Sequence, residues 1–456
     1  MGSAAEGESP DLVWFRTARP VLPPATEAPA ALDADPDVEA ADEAAASGYA
    51  RGARILSIGI AATGIFTFAY FAVASHVLGD DDYGAISTLW SILFVTISVI
   101  YRPVEQLLSR TIAQRRAVGA GAGGELRAPA AIQLAFASIF LVIALAARGP
   151  ITDVLRGSTT LFWVLVAATL AYAASYFARG YLAGHQWFGL YGGLVLFESI
   201  SRFCFPLAVA VGIASGQAAV ALGIAAAPFA SLLVVPWALS RHAGPGAVVG
   251  RRGSTREGAD FAMSVAAIQL SEQALLNAAV LLVGHGKPAA IVFSAFLITR
   301  APLQLFQSVQ TSLLPHLAGL EATQGAAAFE RAVRLTLLAI AGFAGAVALG
   351  LLALGPWAMG ILFDVGTDYA RVGLAVIAIG MGFHLAAGTL NQAALARGRA
   401  RAAAAAWLAS AALFVVWMIA AVVDDPLNRA QVGYAGATAV LCALLYALER
   451  SRHPSR

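Results

Sequence analysis

The sequence predicts an all-α polytopic membrane protein of about 12 transmembrane helices, in two six-helix lobes related by a pseudo-two-fold axis along the membrane normal. Three observations predict it. Hydrophobic residues make up 59% of the 456 positions and charged residues only 12%, about half the charged share of a soluble chain. Apolar stretches long enough to cross ~30 Å of hydrocarbon recur along the chain with short gaps. Arginine then clusters in alternate gaps.

In order, the spans read as 53–78, 84–108, 129–147, 159–182, 188–212 and 217–239, then 260–283, 289–313, 332–353, 371–395, 402–422 and 430–448. The second, eighth and tenth are the most polar. Loops on one side hold Arg54, Arg110, Arg115, Arg116, Arg127, Arg251, Arg252, Arg331, Arg397 and Arg450. Loops on the other hold Asp80, Asp81, Asp82, Asp153, Asp364, Asp368, Asp424 and Asp425. The excess of arginine marks the cytoplasmic side, so both termini are expected there, in a plasma-membrane protein.

Residues 1–50 carry ten acidic groups against Arg16 and Arg19, a net of −8, while the rest of the chain carries +10. This Ala-, Pro- and acid-rich segment has no sustained apolar period and reads as a disordered cytoplasmic tail. The organisation expected is therefore a tail at 1–50, a first lobe at 51–240, a linker at 241–259, a second lobe at 260–448 and a short tail at 449–456. Sliding the first half by 205 positions lays Gly79 on Gly284 and Ala85 on Ala290. Near the ends of the halves, Gly184 lies over Gly398 at an offset of 214. Cys204 and Cys442 both fall in apolar spans and read as small packing residues, with no disulfide or metal spacing.

Polar residues inside the spans carry the functional signal, since a mid-span arginine costs roughly 2.5–3.5 kcal/mol on the insertion scale and usually lines a cavity. In the second span Ser91, Ser98, Arg102, Glu105 and Ser109 share one helical face. The eighth repeats the device with Arg300, Gln304, Gln307 and Thr311 beside Pro302, and the seventh offers Gln269, Glu272, Gln273 and Asn277. The first adds Thr63, Thr67 and Tyr70, the fourth Tyr172, Tyr176 and Arg179, the fifth Glu198 and Arg202, and the tenth His384, Asn391 and Gln392. The candidate cavity set is Arg102, Glu105, Arg202, Glu272, Gln273, Asn277, Arg300, Gln304 and Gln307.

Structural roles compete with this reading. Glu198 and Arg202 stand i,i+4 in the favourable order for an ion pair. Arg179 lies where it could snorkel to the cytoplasmic interface. Arg102 and Glu105 could neutralise each other, and Glu272 is the expected counter-charge of Arg300. His384 reads as a hydrogen-bonded packing histidine, and Trp90, Trp163 and Trp187 as interface anchors or packing. The chain has no Walker A run, HExxH, CxxC pair or Gly-x-Ser-x-Gly elbow. No catalytic residue, metal site or cofactor is expected, and the reading is transport rather than enzymology.

The stretch Leu78-Gly79-Asp80-Asp81-Asp82-Tyr83-Gly84 before a polar second span, and Arg179-Gly180-Tyr181-Leu182-Ala183-Gly184 with Phe188 and Tyr191 following, resemble bacterial polysaccharide-biosynthesis flippases. These belong to the multidrug/oligosaccharidyl-lipid/polysaccharide (MOP) exporter superfamily, and the resemblance covers residues 51–450. It implies a central cavity lined by the first, second, seventh and eighth helices. It also implies an undecaprenyl-pyrophosphate-linked oligosaccharide, moved to the outer leaflet by alternating access. Arg102, Arg300 and Arg202 would hold the pyrophosphate and acidic sugars, because guanidinium forks match phosphate oxygens. Gln273, Asn277, Gln304 and Gln307 would bond sugar hydroxyls. The expected partners are the lipid-linked glycan, membrane lipid and other polysaccharide-assembly proteins, with no nucleic acid. The alternatives are a cation-exporting multidrug transporter of the same superfamily, a lipid II flippase (commonly with fourteen spans) and a non-transporting membrane scaffold.

Overall fold

A computed structural model describes residues 58–59, 61–117, 126–232, 255–298, 300, 326–365 and 369–451. The acidic tail at 1–50, residues 241–254 of the linker, Gln304, Gln307, Pro302 and Thr311 lie outside the described residues.

Each of the twelve expected spans holds a helix. The first lobe comprises α1 (Ala61–Val77), α2 (Asp80–Ile100), α3 (Arg102–Ala117), α4 (Arg127–Ala146), α5 (Arg148–Val154), α6 (Thr159–Gly184), α7 (Phe188–Ala210) and α8 (Gly216–Leu232). The second comprises α9 (Thr255–Leu282), α10 (Lys287–Ile298), α11 (Ala326–Leu362), α12 (Arg371–Ala396), α13 (Ala400–Ala420) and α14 (Pro426–Arg450). Among the described residues, 9 helices are long and apolar enough to cross a membrane. Shorter apolar helices fall on the first, sixth and eighth spans, each adjoining residues outside the described set.

Two spans differ from expectation. The second divides at Tyr101 into α2 and α3. Pro103 has no N–H to donate back to the preceding turn, so the regular ladder is interrupted there, although Glu105 N–H still bonds Tyr101 O at 3.0 Å. The ninth reaches well beyond 332–353: α11 has 37 residues, a length of ~55 Å, and runs through Pro356. The short α5 was not expected.

Glycines set the packing within each lobe. Gly180 lies against the backbone of Glu105, and Gly184 against Ile112, so α6 and α3 approach closely. In the second lobe α12 packs on both α11 and α14, with Gly380 against Ala435 and Tyr434. Gly79 and Gly284 both sit just before a helix of equivalent order, and Gly184 and Gly398 near the ends of α6 and α12, as the offsets anticipate.

The lobes meet through α2 and α9, and α9 also touches α3. At the end bearing the aspartates the contact is dense. Lys287 pairs with Asp80 at 2.7 Å, its backbone N–H donates at 3.2 Å to Asp81 (itself bridged within the first lobe to Arg156 at 3.2 Å), and Tyr83 shares a hydrogen bond with Ser294 at 3.1 Å. The Phe71 and Phe293 rings pack with centroids 4.5 Å apart. Gly84 faces the Gly286 carbonyl so closely that no side chain fits there, and Gly286 itself has φ +72.

Candidate functional site

The first lobe encloses a chamber of about 330 Å³. The polar faces of α1, α3, α6 and α7 converge on it and bring Arg102, Arg179 and Arg202 together with Glu105 and Glu198. Glu198 is buried and accepts hydrogen bonds from Ser175 and from the Arg179 guanidinium, which also lies over the Tyr176 ring at 4.6 Å. Glu105 accepts a hydrogen bond from the Tyr191 hydroxyl at 2.8 Å. Arg102 and Glu105 do not reach salt-bridge distance but interact electrostatically, and Arg102 interacts in the same way with Glu272 of the opposite lobe.

Arg202 is held differently. It donates to the Tyr172 hydroxyl at 2.7 Å and to Thr67 Oγ1 at 3.4 Å, and its guanidinium lies 4.5 Å from the centre of the Trp90 ring. Its Nε has no hydrogen-bond partner and no carboxylate lies within salt-bridge distance among the described residues. The expected Glu198–Arg202 pair is therefore corrected: Glu198 turns to Arg179 on the neighbouring helix. Arg179 does not snorkel but turns to Glu198, although its Nε, like that of Arg202, has no hydrogen-bond partner among the described residues. Trp90 is buried, which fits the packing alternative, and its ring is a platform for the Arg202 guanidinium.

In the second lobe Arg300 donates to the Leu276 carbonyl and to Asn277 Oδ1, the latter at 3.1 Å. Its guanidinium lies 5.8 Å from the centre of the Phe293 ring, and its Nε has no partner among the described residues. Asn277 in turn donates to Gln273 Oε1 at 3.1 Å, which fixes its amide toward Arg300. Glu272 is not the counter-charge of Arg300. It accepts from Gln269 at 2.7 Å and faces His384 Nε2 at 3.9 Å. His384 is buried, stacked with Tyr434 and linked to its hydroxyl at 3.3 Å, which agrees with a packing role.

Seven of the nine candidate residues thus fall into two polar clusters, with Arg102 and Glu272 coupled electrostatically between the lobes; Gln304 and Gln307 lie outside the described residues. Tyr191, Trp90 and Tyr434 belong to the clusters and were missed. An aromatic one or two turns from a polar stripe was the available signal. Cys204 and Cys442 are both free, and Cys204 is exposed rather than packed.

No protein-family model matches the sequence, and neither does any curated protein sequence. Solved structures do match in fold. An inward-facing multidrug resistance MATE family transporter of the MOP superfamily aligns with a TM-score of 0.63 at 13% identity, over 87% of this chain and 97% of that one. An outward-facing structure carrying the same description aligns at 0.60 with 14% identity, over 88% and 94%. A mutant of the Vibrio cholerae MATE transporter VcmN aligns at 0.59 with 16% identity, over 89% and 98%. The fold is that of the MATE transporters. At these identities the likeness concerns the backbone, and it makes the chain a multi-pass membrane protein with two helical lobes.

Proposed function

We propose that this protein is a membrane transporter that moves an undecaprenyl-pyrophosphate-linked oligosaccharide from the inner to the outer leaflet by alternating access, for cell-surface polysaccharide synthesis. In this reading the aspartate-bearing end faces outward, both termini are cytoplasmic, and no covalent chemistry is involved. One observation carries the choice of substrate: among the described residues, each lobe holds an arginine, Arg202 or Arg300, stabilised only by neutral groups and an aromatic ring. The carboxylates Glu105 and Glu198, by contrast, are already engaged by arginine charge or by hydroxyl donors. An uncompensated guanidinium in a low-dielectric interior favours an anionic guest, and its fork suits pyrophosphate oxygens. Asn277 and Gln273 would bond sugar hydroxyls, with the prenyl tail left in the bilayer.

A multidrug exporter is the second reading, favoured by the neighbours' descriptions and by Glu272, which among the described residues has no arginine or lysine within salt-bridge distance. Reconstituted proteoliposomes separate the two. The glycan reading expects protein-dependent exposure of a fluorescent prenyl-pyrophosphate oligosaccharide on the opposite leaflet and no uptake of a lipophilic cation. Cation movement without lipid flipping would reverse the assignment.

A further inference from the structure

The two lobes carry grooves bounded by equivalent helices but of opposite character. In the first lobe α4, α6 and the end of α8 bound a cavity of about 670 Å³. Its walls are alanine, leucine and phenylalanine, with Gln133 turned inward to donate to the Ala173 carbonyl at 2.7 Å. In the second lobe the equivalent helices α11, α12 and α14 bound a larger cavity of about 1270 Å³, whose rim is arginine. Arg334 comes from α11, Arg397 and Arg399 from the end of α12 and the turn after it, and Arg450 from the end of α14. Glu330 and Glu449 are the acidic groups on the same rim, leaving a positive excess.

The rim sits where a headgroup would be. From Arg334 to the end of α11 is more than the ~20 residues needed to cross hydrocarbon, and the apolar run begins directly after Arg334. Leu335, Leu338, Leu349 and Leu352 are exposed along that helix, so its outer face borders acyl chains. The groove therefore offers apolar walls continuous with the bilayer, closed at the basic end of the bundle by guanidinium groups. Arg399 spends its hydrogen bonds on the Leu448 carbonyl and on Ser451, which fixes its geometry without neutralising its charge. Arg450 lies 5.1 Å from the centre of the Tyr446 ring. Basic pockets between helices on the positive side of a membrane suit anionic lipid headgroups.

We propose that this groove is a binding site for one anionic phospholipid, with the phosphate at Arg334, Arg399 and Arg450 and an acyl chain along Leu337 and Leu338. Among the described residues, the lining of the first lobe's groove holds no arginine, and it is expected to take no headgroup. The site is separate from the interior clusters, so the proposal stands independently of the substrate assignment.

The test is native mass spectrometry of the full-length protein in mixed micelles, titrated with phosphatidylglycerol or phosphatidylcholine. Wild type should retain one phosphatidylglycerol at a concentration several-fold below that needed for phosphatidylcholine. The Arg334→Ala/Arg450→Ala double variant should lose about fivefold per arginine, and Arg334→Lys/Arg450→Lys should recover most of it. Gel filtration and melting in lipid-free detergent verify that the variants fold. Soluble glycerol phosphate should not displace the lipid at equal concentration, because it lacks the chain. Equal retention of both lipids by wild type, unchanged retention by the folded alanine variant, or full displacement by glycerol phosphate would each overturn the proposal.

Discussion

The two lobes handle their buried charge in different ways. In the first, Arg179 and Ser175 both donate to Glu198, and Tyr191 engages Glu105; Arg202 is left to hydroxyls and the Trp90 ring. In the second, the interior charges are not locked: Arg300 rests on a backbone carbonyl and an asparagine, and Glu272 on a glutamine and a histidine 3.9 Å away, while the ion pair Arg397–Glu449 ties the ends of α12 and α14. Intramembrane charge is thus of two kinds. A charge matched by an opposite charge holds helices together, and one matched only by dipoles remains available to a guest. The first kind is costly to disturb in the folded protein, and the second in what the protein carries.

The largest effect should come from breaking the locked pair. Glu198→Ala leaves Arg179 buried without its carboxylate, which is expected to cost about 3–5 kcal/mol and to lower the yield and melting temperature of the purified protein. Arg202→Ala removes no ion pair and should fold normally, while transport falls roughly 10–100-fold, the value of a charged hydrogen bond. If both variants were equally unstable, the distinction between the two kinds of charge would fail. Gly84→Ala should wedge the lobes apart at the Gly286 contact, at a cost of about 1–3 kcal/mol to the closed arrangement. Faster labelling of Cys at position 294 by an impermeant maleimide in whole cells would report it, and would also place that end outside. The smallest effect is expected at the exposed Arg156–Asp81 bridge. Asp81→Asn should change stability by less than about 1 kcal/mol, within a few degrees of melting temperature.

The spans were legible in the sequence because hydrocarbon leaves a crossing segment no alternative to internal hydrogen bonding. Apolar length therefore locates each one. Polar stripes on α3 and α9 were legible for the related reason that a charge there must face protein. The pairing of those charges was not. Glu198 and Arg202 satisfy a one-helix rule, yet Glu198 turns to Arg179, a residue on another helix whose approach depends on packing that no local spacing encodes. The same holds for Trp90, which reads as an anchor or packing residue, with no local spacing to place Arg202 over its ring. The break at Tyr101, in contrast, was written in the sequence by Pro103.

The central claim is that the interior is built for an anion, and Arg300 tests it most directly. The measurement is flipping of a fluorescent prenyl-pyrophosphate oligosaccharide in proteoliposomes containing wild type, Arg300→Ala, Arg300→Lys or Glu272→Gln at matched protein levels. The account predicts that Arg300→Ala abolishes flipping, that Arg300→Lys keeps only part of it because an ammonium lacks the bidentate fork, and that Glu272→Gln retains most activity. Wild-type flipping by Arg300→Ala together with its loss in Glu272→Gln would contradict the account and make the carboxylate the substrate-binding group.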